Sequence, residues 1–154
     1  MSTAKRADVN MEAGKSAILE FFAAIDKAQN MSPLDALAAP SYVAHFPGAP
    51  PMDRDGTKAY GEVFFAACPG LRHSVDDIIA EGNHVAARLT IRGTHTQPFV
   101  TPAGPIPPAG RSFELQVMNW YRFEHGKLVE QRVAFDMLGF LQQIGAMPGP
   151  GGST

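Results

Sequence analysis

The sequence predicts an α+β fold: three helices first, then four long antiparallel strands joined by hairpins, with the helices segregated to one face of the sheet. Three observations carry this reading. Apolar residues recur at helical spacing in the first half of the chain, they alternate with polar residues in the second half, and turn-forming residues separate the alternating runs. A curved antiparallel sheet with helices on its concave face makes a cone, and the interior of a cone is the default pocket.

Residues 1–10 read as a flexible arm, with Asn10 placed to cap the first helix. From Met11 to about Gln29, residues such as Ala17, Ile18, Phe21, Phe22 and Ile25 form one stripe, so this helix is expected to lie across the sheet. Ser32-Pro33 opens a second, short helix, with Ser as N-cap, Pro in the first position and Leu34 and Leu37 turned inward; Pro40 ends it. Tyr42 to Phe46 is a short extended piece carrying Tyr42 and His45, followed by the loop PGAPPMDRDG. Thr57 to Cys68 is a third helix with Tyr60, Val63, Phe64 and Ala67 on its apolar side, stopped by Pro69-Gly70.

Strands follow. Leu71 to Glu81 is joined by Gly82-Asn83 to His84–His95, in which Val85, Ala87, Leu89 and Ile91 share a face. Gln97 to Gly110 holds five prolines and reads as a loop whose length suits a lid. In the long strand from Arg111 to Phe123, Phe113, Leu115, Val117, Asn119 and Tyr121 oppose Glu114, Gln116, Met118 and Trp120. Gly126-Lys127 is the expected hairpin turn into Leu128–Phe135, in which Val129, Gln131, Val133 and Phe135 alternate with Glu130, Arg132, Ala134 and then Asp136. Met137, Leu138, Phe140, Leu141 and Ile144 then recur at helical spacing up to Gly145. Asp136 therefore sits where a strand meets an apolar helix, as either a helix N-cap or an active-site group.

With 154 residues, 45% of them hydrophobic, the chain reads as a single domain over 11–146 with a flexible Gly/Pro-rich tail at 147–154. A net charge of −2 without any basic run gives no electrostatic basis for nucleic-acid binding. No run of about 18 apolar residues is present to span a membrane, and MSTAKRADVN has no apolar core of a secretory signal. The lone Cys68 rules out an internal disulfide and fits a cytoplasmic location. The five histidines lack metal-ligand spacing, so no metal is expected, and no Gly-rich phosphate loop appears.

An ordered series of motifs adds to this reading: Tyr42-x-x-His45-x-Pro47, Phe65-x-x-Cys68-Pro69-Gly70-Leu71, Asp76-x-Ile78-x-x-Glu81-Gly82-Asn83, Gly93-Thr94-His95, Pro108-x-Gly110-Arg111 and Asp136-x-x-Gly139-x-x-Gln142-Gln143-x-Gly145. In order and spacing it resembles the SnoaL-like polyketide cyclases, within the nuclear transport factor 2-like superfamily. The resemblance implies a cone-shaped α+β domain, usually an oligomer, and cofactor-free aldol ring closure of polyketide esters with a carboxylate as general acid/base. Asp136 matches that carboxylate. The same fold hosts isomerases, epoxide hydrolases and non-catalytic proteins. Many members carry Trp where this chain has Arg132, whose guanidinium would weaken Asp136 as a base or hold an anionic or enolate oxygen.

The residue-level expectation is a general acid/base at Asp136 acting on a small hydrophobic substrate. His45 and Asn119 assist it, and Arg88 or Arg132 binds substrate oxygen. Tyr42, Phe21, Phe64, Phe65 and Tyr121 are expected to contact the substrate. An epoxide hydrolase using Asp136 with Arg88 or Arg132, and a non-catalytic hydrophobic-ligand module, are the alternatives. Met118, Trp120, Val133 and Phe135 are expected on the outer sheet face as a homodimer interface.

Overall fold

The computed structural model describes residues 3–149, with side chains from Asn10 onward. In chain order the elements are α1 (Thr3–Ala28), α2 (Leu34–Leu37), β1 (Ala38–His45), α3 (Arg54–Ala67), β2 (Arg72–Glu81), β3 (His84–Thr94), β4 (Phe99–Thr101), β5 (Gly104–Ile106), β6 (Ser112–Glu124), β7 (Lys127–Phe135) and α4 (Met137–Gln143). Five strands form one curved sheet in the order β1-β7-β6-β3-β2. The three hairpin pairings β2–β3, β3–β6 and β6–β7 are antiparallel, but β1 runs parallel to β7. The sheet is therefore mixed, not wholly antiparallel. A strand from the front of the chain adds beside the last one, and no hairpin links them to impose the opposite direction.

Alternation sets the two faces. Along β6, Phe113, Leu115, Val117, Asn119, Tyr121 and Phe123 are buried while Glu114, Gln116, Met118 and Trp120 are exposed. Helix α1 crosses this inner face near β2 and β3, placing Ile18, Phe21, Phe22 and Ile25 in the core, and α3 adds Phe65 and Ala67. Gly14 lets α1 approach closely: a Cβ there would stand 3.0 Å from Val85.

Several local expectations shift. Helix α1 begins at Thr3, so residues 3–10 are helical and Asn10 lies inside the helix instead of capping it. Most of the expected flexible tail, from 150 on, lies outside the described residues. Pro33, not Ser32, occupies the N-cap of α2, without a side-chain cap bond, and the helix stops at Leu37, leaving Pro40 inside β1. Helix α3 starts at Arg54, because the Asp53 carboxylate accepts the Gly56 N–H at 2.8 Å. The β6–β7 turn is His125-Gly126, one residue earlier than expected; both residues have positive φ, the signature of a twist-compatible two-residue hairpin. The proline-rich stretch is no plain loop: it contains the β4–β5 hairpin, which packs Phe99 against Phe140, His95 and Phe64.

Candidate active site

Between α1, α3 and the inner sheet face lies an apolar cavity of about 110 Å³. Phe21, Phe22, Phe64 and Phe65 wall it from the helices; Leu89, Leu115, Val117, Val133 and Phe135 floor it from the strands. Polar side chains enter it at Thr57, Tyr60, His73, Asn119 and Gln131.

One pole of the cavity is a buried histidine–carboxylate pair. Asp26 lies one turn after Phe22 on α1, at the edge of its apolar stripe, and is almost wholly buried. His73 is the second residue of β2 and faces inward with Leu71 and Val75. Asp26 Oδ1 lies 2.7 Å from His73 Nδ1, and Oδ2 accepts the His73 backbone N–H at 2.8 Å. An ionised carboxylate only accepts, so Nδ1 is the donor in this contact, and the His73 side chain lines the cavity. The junction that sets this geometry is closely tied. Arg72 donates to the Asp26 carbonyl at 2.7 Å, favourably placed at the negative end of α1. Gln29 donates to the carbonyls of Asp26 and Leu71 and accepts the Gly70 N–H. The imidazole is flanked by Phe22 and Phe65, with ring centroids 5.1 and 6.1 Å away.

The other pole is a chain of neutral groups. The Tyr42 hydroxyl donates to Gln131 Oε1 at 2.6 Å, and Gln131 Nε2 donates to Asn119 Oδ1 at 3.2 Å. Asn119 thus spends its carbonyl on Gln131, leaving its N–H groups for whatever enters the cavity. Burial holds the Tyr42 phenol well above its ordinary pKa, partly offset by the nearby Thr57 hydroxyl. Burial likewise pushes Tyr60 up to about 12. Both remain neutral hydroxyls near pH 7. His73 pairs with Ile91, which pairs with Leu115, four residues from Asn119 on β6. The two poles are therefore about 13 Å apart along the strands at the backbone.

The residues expected from sequence divide sharply. Asn119, Phe21, Phe64 and Phe65 line the cavity, and Tyr42 reaches it through Gln131. Tyr121 is buried on the inner face but is not a lining residue; burial, then the nearby Tyr42, keep its phenol protonated. Asp136 is a correction: it is exposed, its Oδ1 accepts the Gly139 N–H at 2.8 Å, and it caps α4. The alternation that turns Gln131, Val133 and Phe135 inward turns Arg132, Ala134 and Asp136 outward. A Cβ at Gly139 would collide with that carboxylate, so the glycine fits the cap. Arg132 is also outside, bonded to Glu130 at 3.4 Å, and Arg88 is exposed beside Asp76 at 3.7 Å. His45 ends β1 half-buried opposite Arg132 and does not line the cavity. Val133 and Phe135 are lining residues rather than part of an outer patch; of the four residues expected there, only Met118 and Trp120 stand outside, 58% and 46% exposed.

Sequence reading missed His73, Asp26 and Gln131 as site residues, although each carried a signal. Each is a polar residue at a position that periodicity assigns to an apolar face. Among the described residues no group of three or more His, Cys, Asp or Glu is placed to hold a metal ion. No described helix is long and apolar enough to cross a membrane.

This fold and cavity define a known class. The SnoaL-like polyketide cyclase model matches residues 16–144, and the chain belongs to that family. Among solved structures, it is similar to IdmH, a proposed polyketide cyclase from Streptomyces antibioticus, at 30% identity and TM-score 0.72, covering 86% of this chain and 98% of IdmH. AclR, a proposed hydroxylase from Streptomyces galilaeus, is 26% identical with TM-score 0.78, covering 90% of this chain and 99% of AclR. A proposed SnoaL-like polyketide cyclase from Jannaschia sp. CCS1, at 19% identity, TM-score 0.77 and coverage of 90% and 95%, shares the fold. No curated protein matches the sequence.

Proposed function

We propose that the protein is a cofactor-free cyclase or isomerase of small hydrophobic, polyketide-like substrates, in which His73 paired to Asp26 moves the proton. The observation that carries this reading is the 2.7 Å contact between Asp26 and His73 Nδ1 at the wall of an apolar cavity. A carboxylate behind Nδ1 fixes the tautomer and stabilises the imidazolium once Nε2 has taken a proton. The C–H bond beside a substrate carbonyl breaks, its proton goes to Nε2 and its electron pair enters an enolate. In ring closure the enolate carbon bonds to a second carbonyl carbon, and the imidazolium returns the proton to the alkoxide. In isomerisation the proton returns to a different carbon. Asn119, held by Gln131 and Tyr42, anchors a substrate oxygen at the far pole and so selects the carbon presented to His73. The family match and the similarity to IdmH support the cyclase side of this reading.

Epoxide opening by Asp136 with Arg88 or Arg132 loses its support, since all three side chains sit outside the cavity. A binding module without chemistry is the competing class. The deciding measurement is α-proton exchange of methyl benzoylacetate into deuterated water, followed by NMR. Exchange above the buffer rate that falls at least about a hundredfold in His73→Gln and in Asp26→Asn supports the enzyme. Exchange no faster than buffer in the wild-type protein overturns it.

We further propose a cytoplasmic location, based on the single, buried Cys68. The outer face around Met118 and Trp120 we propose as the contact between two copies of the chain. A dimer mass in light scattering at micromolar protein, reduced to a monomer by Trp120→Glu, is the expected result; a wild-type monomer mass contradicts it.

A further inference from the structure

The cavity is small for the substrates proposed above. An apolar void of about 150 Å³ takes a benzene ring, whereas pockets for larger ligands run to about 300–1,000 Å³. The present 110 Å³ suits one ring. Next to it, also bordered by α3, lies a second apolar space of about 400 Å³, a groove between α3, the β4–β5 hairpin and α4. Ala59, Val63, Val100, Ile106, Leu141 and Ile144 are among its walls. Two side chains, Tyr60 and Phe64, line both spaces. Their rings are 5.4 Å apart, and Tyr60 also lies against Phe46 at 4.3 Å. These two aromatic residues, one turn apart on α3, are where the two spaces meet.

Tyr60 carries one unsatisfied polar group. Its hydroxyl is buried with no hydrogen-bond partner. A buried hydroxyl without a partner favours any rotamer that reaches water or a polar atom of a ligand. The neighbouring phenylalanines contribute no such atom.

We propose that Tyr60 and Phe64 form a gate, and that the groove is the second half of the substrate site. The reacting ring occupies the cavity, and an apolar extension of the same molecule passes the gate and lies under the β4–β5 hairpin. When Tyr60 swings aside for it, its hydroxyl finds a partner in solvent or in an oxygen of the ligand. The groove then selects for substrate length while the cavity selects for chemistry. This inference rests on the cavity being the substrate site.

The test compares p-cresol with 4-octylphenol by titration calorimetry and by methyl NMR of the full chain. p-Cresol should shift cavity methyls such as those of Leu115 and Val117 and leave those of Leu141 and Ile144 unmoved. 4-Octylphenol should shift Leu141 and Ile144 as well and bind at least about tenfold tighter, a modest part of what eight buried carbons can give. Ala59→Trp, at an exposed groove position, should abolish that gain and leave p-cresol unchanged; Leu141→Trp blocks the groove from the opposite wall as a second route. Cavity shifts with p-cresol but no groove shifts and no gain with 4-octylphenol overturn the gate alone. Absence of cavity shifts with either phenol overturns the substrate site itself and the gate with it.

Discussion

Asp26 and Asp136 are both carboxylates near one end of a helix, and they do opposite things. Asp136 stands in water at the start of α4, where its one clear partner is the Gly139 N–H. Asp26 is enclosed near the end of α1, and both its oxygens are taken by a single residue from another part of the chain. In the first the carboxylate organises four residues of backbone; in the second it fixes the orientation of an imidazole. Burial and the partner, not residue type or position beside a helix, separate a cap from a candidate catalytic group. The histidines repeat the lesson. His73 has a carboxylate and a cavity. His95 is 0% exposed, lies tilted against Phe99 with ring centroids 4.6 Å apart, and neither ring nitrogen has a partner.

The largest effect that would break this comparison is on turnover. Asp26→Asn should cost at least about a hundredfold in α-proton exchange, while Asp136→Ala should leave the rate within about twofold. The reverse pattern, read by the same deuterium NMR assay, would return the chemistry to Asp136. Next comes the neutral pole. Gln131→Leu leaves the buried Tyr42 hydroxyl without its acceptor and should destabilise the fold by about 1–3 kcal/mol in urea unfolding. An unchanged midpoint would show that the Tyr42–Gln131–Asn119 chain contributes nothing to stability. Smaller still, Asp136→Ala removes a cap and should cost about 1 kcal/mol by the same method.

The smallest expected effect is a pH dependence. Burial lowers the pKa of His95 below its ordinary 6.5, opposed in part by the Gln97 backbone. A histidine whose folded pKa is depressed binds fewer protons folded than unfolded. Its contribution is therefore fully present above pH 6.5 and declines as pH falls through and below that value. Thermal melts from pH 7.5 to 5 should show this decline, and His95→Phe should flatten it; an unaltered slope in the variant would remove His95 as its source.

The legible part of the fold and site is the part that periodicity can carry. The strand alternation of β6 placed Asn119 among inward residues from its neighbours alone, and the structure puts it on the cavity. For β7 the same alternation separated two faces but did not say which is inside. The set with Val129, Val133 and Phe135 is the more apolar, and burial follows it, whereas the family resemblance at Asp136 points to the other face. Pairings between distant segments were not legible. Nothing in a local pattern brings β1 alongside β7, or carries Asp26 on α1 to His73 on β2. Periodicity assigned each of those residues a face but not a partner.

The strand order has a consequence for how copies of this chain can meet. The sheet ends in β1 on one side and β2 on the other. Along the first rim, Pro40 offers no N–H, the register breaks between Ala38 and Val43, and Ala44 is already bridged by Met52. Along the second rim the ladder slips between Val75 and Asp77, within a run carrying Arg72, Asp76, Asp77 and Glu81. A sheet blunted at both borders resists lengthening into a ribbon by recruiting strands from other molecules. Back-to-back stacking remains the open geometry, and a concentrated solution should stay free of fibres.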